Sequence, residues 1–209
     1  DGRVHLLELR IHVDRSTHTS TRDRDRLDAT GDDTIGAVDL DVVGSDGDGG
    51  YMLSPERGRE GYDALIRDMV GKGFVPTRVA HFWLVTRGES YRPGSSFLHR
   101  NMEQGFFSLM FLGQAIAEEN LPRPIHLTVI STDAMQVRDE PLASPEKAAL
   151  VGPVRVIPHE FPGFSASALD LQLPEVSRRR SGSLEPLAEQ VIEDLMSEPG
   201  QRLLALRGT

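Results

Sequence analysis

Apolar positions recur every three to four residues between Glu60 and Val70. Tyr62, Leu65, Ile66, Met69 and Val70 fall on one face, and the spacing predicts an amphipathic helix. Gly71 and Gly73 stand where that helix should end. The segment Arg78 to Thr86, RVAHFWLVT, is almost continuously apolar and rich in strand formers, as for a strand covered on both faces. A long helix follows from about Phe97 to Glu119, with Met102, Phe106, Leu109, Gly113 and Ile116 on one face and Phe107, Met110 and Phe111 broadening it. Pro122 and Pro124 close the connection to a second buried strand, Ile125 to Ser131. Ser144 is expected to cap the next helix, with Pro145 at its first position, Glu146 in its first turn and Pro158 as its stop. A strand at Ala166 to Leu171, a helix at Leu184 to Met196 and a short strand at Leu203 to Leu206 complete the series. Strands alternating with helices predict an α/β fold: a truncated Rossmann-like parallel sheet with helices on both faces.

The first 48 residues lack this regularity. Val4 to Val13 and Ala37 to Val43 are candidate strands. Between them, Ser16 to Arg26 is polar with alternating charge and reads as a loop or disordered linker. Gly44 to Gly50, GSDGDGG, reads as a turn. The opening DGRVHLLELR has neither an initiator Met nor a basic-then-apolar signal pattern, so a cut inside a longer chain is expected.

With 209 residues and 38% hydrophobic content, the chain can bury the core of one α/β domain. The net charge of −9 argues against a nucleic-acid or anionic-membrane surface. There is no cysteine, which removes disulfides and thiolate metal sites. No run reaches the ~18–20 apolar residues of a membrane span.

Candidate chemistry is sparse. Gly47 and Gly49 begin a GxG pattern, but Met52 stands at the third glycine, Asp46 and Asp48 would repel phosphate, and Pro55 delays a helix. S-adenosylmethionine has no phosphate and suits Asp41 to Gly50 better, although the register is wrong for an acidic strand end before GxGxG. A plain turn is the simpler reading. Calcium loops begun at Asp39 or Asp46 place Gly50 or Arg57 where the bidentate Glu belongs. His5, His12 and His18 with Asp14 make a poor zinc set, since His5 and His12 face opposite sides of a strand. His81, His126 and His159 read as core or edge histidines. No GxSxG elbow occurs. The basic run Arg178 to Arg180 reads as a solvated linker. A reductase centre needs a Tyr with a Lys four residues later, but Tyr51, Tyr62 and Tyr91 are followed there by Pro55, Ile66 and Ser95. Lys147 sits on a helix before a late strand, as a reductase lysine does, yet position 143 is Ala.

The ordered segments Gly49 to Met69, Thr77 to Thr86, Gly105 to Glu119, Ile125 to Pro162 and Leu187 to Thr209 together resemble one family. It is the structural, noncatalytic subdomain of ketoreductases from type I modular polyketide synthases, which are similar to short-chain dehydrogenases/reductases. Ile125 to Pro162, including SPEKAALVGPVRVIPHEFP, carries the resemblance best. It implies a division into residues 49–209, the subdomain, and residues 1–48, an irregular or partly disordered remnant of the first βαβ unit.

The resemblance further implies that no catalytic, cofactor-binding or metal residue lies in this chain. NADPH, with the Ser, Tyr and Asn or Lys that reduce a carrier-bound β-ketoacyl thioester, is expected in a downstream catalytic half. The expected partners are that half, neighbouring synthase domains and, indirectly, an acyl carrier protein, in a cytoplasmic enzyme of secondary metabolism. Two other readings stand beside it: a small Rossmann-like S-adenosylmethionine enzyme, and an interaction module derived from a decayed ketoreductase. Val151 to Pro162 is the candidate for the apolar surface facing a partner half.

Overall fold

The computed structural model describes residues 6–9, 39–43, 50–53, 58–87, 96–121, 124–174, 176–177, 180–181, 184–200 and 203–208. Strand β1 (Leu6–Leu9) lies within the first expected strand and β2 (Asp39–Val43) within the second. Strand β3 (Gly50–Met52) follows, then helix α1 (Arg59–Gly71) and strand β4 (Arg78–Leu84). Helix α2 (Phe97–Asn101) continues without a break through a π-helical stretch, Met102–Phe107, into α3 (Ser108–Glu118). Strand β5 (Ile125–Thr132) leads to a 3₁₀ segment, Pro145–Leu150, and helix α4 (Val151–Glu160). Strand β6 (Phe164–Leu171), the short pair β7 (Val176–Ser177) and β8 (Arg180–Ser181), helix α5 (Glu185–Met196) and strand β9 (Leu203–Leu206) complete the order.

The main sheet runs β3-β2-β1-β4-β5-β6-β9. The pairs β1–β4, β4–β5, β5–β6 and β6–β9 are parallel, while β1–β2 and β2–β3 are antiparallel. The expected parallel Rossmann-like sheet is therefore present, with an antiparallel extension on one side. Pairing of β2 with β3 joins residues on either side of the expected boundary after residue 48. Ser16 to Arg26 and the turn residues 44–49 lie outside the described residues.

Burial explains the layers. Every residue of β5 is buried, and β4 is buried along most of both faces. A strand with apolar residues on both faces needs cover on both. On one face α1, α3 and α4 bring Leu65, Ile66, Leu112, Ile116 and Val154 against Val79, Trp83, Leu127 and Val129. On the other, Val191 and Leu195 of α5 pack with Ala80, Ile130 and Leu169.

Local chemistry sets the helix ends. After α1, Gly73 adopts φ +81, which glycine reaches without a Cβ clash. The N–H of Phe74 then donates to Met69 O and that of Gly73 to Val70 O, each at 2.9 Å, closing a Schellman motif. Two expectations about α4 are corrected. Ser144 occupies the cap position, but its side chain makes no capping hydrogen bond; its carbonyl instead accepts from Lys147 N at 3.1 Å in a 3₁₀ turn. Pro158 does not stop the helix, which runs on to Glu160. Proline removes one N–H from the ladder; the stop is Pro162, since a residue before proline is pushed out of the helical region. Phe161 is accordingly extended, at φ −119 and ψ 108.

Trp83 is fully buried beside Tyr62, with ring centroids 6.2 Å apart, and its indole N–H has no hydrogen-bond partner among the described residues. Trp83→Ala should therefore cost ~3–5 kcal/mol in urea denaturation. Trp83→Phe, which sacrifices no hydrogen bond, should cost less than about half of that. Equal losses for the two would contradict this account of the core.

Candidate functional site

In a doubly wound sheet, ligands meet the protein beyond the carboxyl ends of the strands. At the ends of β4 and β5 that region is filled by Lys147, only 1% exposed despite its charge. The 3₁₀ segment after β5 carries it inward. Its ammonium donates to Thr86 Oγ1 at 2.6 Å, Thr132 O at 3.0 Å and Thr132 Oγ1 at 3.1 Å. Thr132 Oγ1 in turn donates to Thr86 O at 2.8 Å and accepts from Thr86 N at 3.1 Å. A buried cation is tolerated when its donors are satisfied, and this one ties two strand ends together.

The ends of β5, β6 and β9 hold a second polar knot. Asp170 is fully buried. It accepts from Ser131 Oγ at 2.8 Å, Ala134 N at 2.9 Å, Met135 N at 3.3 Å and Arg207 Nη2 at 2.8 Å. Arg207 also donates through Nε to Glu140 at 2.9 Å and through Nη2 to Met135 O at 2.8 Å. The Arg207 hydrogen bond, aided by the N–H of Val137, holds the Glu140 carboxyl down at about 2. The guanidinium thereby fastens the loop after β5 to the end of β6.

Inside the main core, His81 Nε2 lies 2.8 Å from Ser108 Oγ, and Tyr62 hydrogen-bonds the same serine. A serine beside a histidine suggests an activated nucleophile. The chemistry does not follow. Burial pushes the His81 imidazole down to about 3, which makes it a poor base at neutral pH, and its Nδ1 has no orienting partner among the described residues. Burial also raises the Tyr62 phenol. At the other end of the sheet, the nitrogens of His126 meet Ser165 Oγ at 2.7 Å and Ser167 Oγ at 3.0 Å. Burial first, then the charge of Arg78, lower His126 to about 4. His81 and His126 are thus partnered core histidines, as their apolar settings suggested; His159 is exposed on α4.

An apolar groove of about 610 Å³ runs across α3 and α4. Phe106, Met110, Pro153, Val156, Ile157 and Phe161 line it. Arg59, paired with Glu118, stands at its edge together with Glu160. Gly152 lets the helices meet closely, because a Cβ there would lie 3.3 Å from the Phe106 ring. The candidate surface segment Val151 to Pro162 forms one wall.

A family model described as beta-ketoacyl synthase-like, N-terminal, matches residues 41–184. The chain belongs to that family. Among solved structures, it is similar to the adenylation, ketoreductase and pseudo Asub multidomain structure of a keto acid-selecting NRPS module, at 25% identity and a TM-score of 0.59. That match covers 73% of this chain and 12% of the other, so the chain spans a small part of that protein. A short-chain dehydrogenase from Mycobacterium smegmatis is similar in fold, with 13% identity, 75% and 68% of the two chains covered, and a TM-score of 0.54. One from Streptomyces avermitilis gives 14%, 71%, 67% and 0.51. No curated protein matches the sequence. The expected likeness to ketoreductases and short-chain dehydrogenases/reductases is therefore found in the structure.

Within this beta-ketoacyl synthase-like family member, the residues weighed from sequence separate clearly. Asp41 pairs opposite Gly50 in antiparallel strands, so residues 44–49 join two strands of a hairpin. A dinucleotide or S-adenosylmethionine loop leads instead from a strand into a helix. The hairpin does not fit a pyrophosphate cradle. Ala143 is exposed, Tyr62 lies in the core, and Tyr91, His5, His12, His18 and Asp14 lie outside the described residues. Among the described residues no acidic or histidine cluster of metal-site size occurs. No helix among them is long and apolar enough to cross a membrane.

Lys147→Ala should cost ~2–4 kcal/mol, since it leaves Thr86 and Thr132 without their donor and opens a void. Urea denaturation checks this, and an unchanged midpoint would remove Lys147 from its role as a tie. The buried histidines give a pH dependence of defined sign. Their folded values lie below the unfolded ~6.5, so the unfolded chain binds more protons in that window and stability falls on acidification. His81 alone should contribute a slope of about 1.4 kcal/mol per pH unit below about pH 6.5, with His126 acting in the same direction. A urea midpoint that stays flat from about pH 7 to about pH 5 would contradict the burial of both rings as neutral species.

Proposed function

We propose that the chain is the noncatalytic structural half of a ketoreductase in an assembly-line synthase, bracing a second half that binds NADPH and reduces a carrier-bound β-ketoacyl thioester. The fate of Lys147 carries this reading. It stands where a reductase lysine would, on the segment between β5 and α4. It is nevertheless sealed from solvent, committed to Thr86 and Thr132, and has alanine where a tyrosine would be tuned. The outline of a reductase centre is used here to join strands.

The groove across α3 and α4 supplies the bracing surface. A helix pair that leaves an apolar cleft of this size open suits a partner surface. The similarity to a ketoreductase-containing module supports the catalytic half as the occupant. Neighbouring synthase domains, and the carrier protein indirectly, complete the expected assembly. The hairpin at Asp41 and Gly50 leaves the S-adenosylmethionine reading without its loop.

Val156 is 51% exposed on the groove wall, so Val156→Asp should leave the fold intact. It should weaken association with a separately produced catalytic half by about tenfold or more, read by titration calorimetry. The chain alone should not turn over NADPH with a β-ketoacyl thioester. Turnover by the isolated chain would overturn the reading, and unchanged association of the variant would remove the groove from it.

A further inference from the structure

A second cavity lies between α1 and the α2–α3 run, on a different face of that helix from the groove. Its volume is about 240 Å³, and Tyr62, His99, Glu103, Phe107, Ser108 and Phe111 line it. Three of these residues are aromatic. Phe107 and Phe111 stack with centroids 6.3 Å apart, and Tyr62 tilts toward Phe111 at 6.2 Å. Their spacing follows from the fold. Phe107 and Phe111 are one helical turn apart, and α1 brings Tyr62 against Phe111.

The carboxylate of Glu103 stands at the same cavity. Its partner is the exposed imidazole of His99, with Nε2 at 3.0 Å from Oε1. Aromatic faces carry negative potential, and a carboxylate beside them adds a full negative charge. The chain's net charge of −9 favours the same sign of ligand. The cavity falls below the ~300–1,000 Å³ of sites for drug-sized molecules, so its occupant is a small group. The hydroxyls of Tyr62 and Ser108 are already engaged with each other and with His81.

We propose that this cavity binds an alkylammonium group, held by the rings of Tyr62, Phe107 and Phe111 and paired with Glu103 in place of His99. The group belongs either to a small free molecule or to a lysine side chain of a docked protein. The site does not depend on the ketoreductase reading and stands or falls separately from it.

The test titrates the 209-residue chain by NMR with three probes: choline, an N- and C-blocked lysine, and the neutral carbon isostere of choline. The cations should shift the side-chain resonances of Tyr62, Phe107 and Phe111 at millimolar concentration, and the isostere should bind more weakly. Phe107→Leu and Glu103→Gln change partly exposed positions and should preserve the fold. Each should weaken choline binding by roughly 3- to 30-fold. Tighter binding of choline assigns the site to a free alkylammonium, and tighter binding of blocked lysine assigns it to a protein side chain. Equal binding of the isostere, shifts confined to other residues, or variants that bind choline unchanged would each overturn the proposal.

Discussion

Strand β5 imposes the main constraint on this fold, because all eight of its residues are buried and half of them are polar. Burying an unpaired polar group costs ~1–3 kcal/mol, so each must find a partner within the protein. His126 meets Ser165 and Ser167, Ser131 meets Asp170, and Thr132 meets Thr86 and Lys147. These partners lie on β6, just beyond the end of β4 and on the segment after β5. Side chains thus tie β5 to β6 at both ends and to the residues just after β4 at the carboxyl end, while the apolar middle is sealed by helices on each face.

Polar closure at the carboxyl ends has a functional side. In an open α/β sheet, that edge is where a ligand would enter. Here the ends of β4 and β5 are closed by an ammonium and those of β5, β6 and β9 by a carboxylate and a guanidinium. Among the described residues, an apolar groove opens across α3 and α4 and a smaller aromatic cavity lies beside α1.

Much of the fold was legible in the sequence because apolar periodicity reports faces. Tyr62, Leu65, Ile66 and Met69 all turn inward on α1, and the residues of β4 and β5 are buried as their composition implied. Side chains that close the ends of elements are less visible. Asp170 and Arg207 lie 37 residues apart, and His81 and Ser108 lie 27 apart, with no local spacing to link them. The π-helical stretch was also hidden: the apolar spacing does not mark it, and it turns Gly105 inward while Met102 and Phe106 stay half-buried. Lys147 could be singled out, but its partners could not, because Thr86 is 61 residues away across the sheet.

The burial of Lys147 also has a practical side. The chain holds two lysines. The Lys72 side chain is 65% exposed at the end of α1, whereas Lys147 is sealed between strand ends. In the folded protein an amine-directed reagent therefore finds a single lysine to label. Modification of the second would report that β4 and β5 had separated at their ends, which makes that amine an internal gauge of the sheet's integrity.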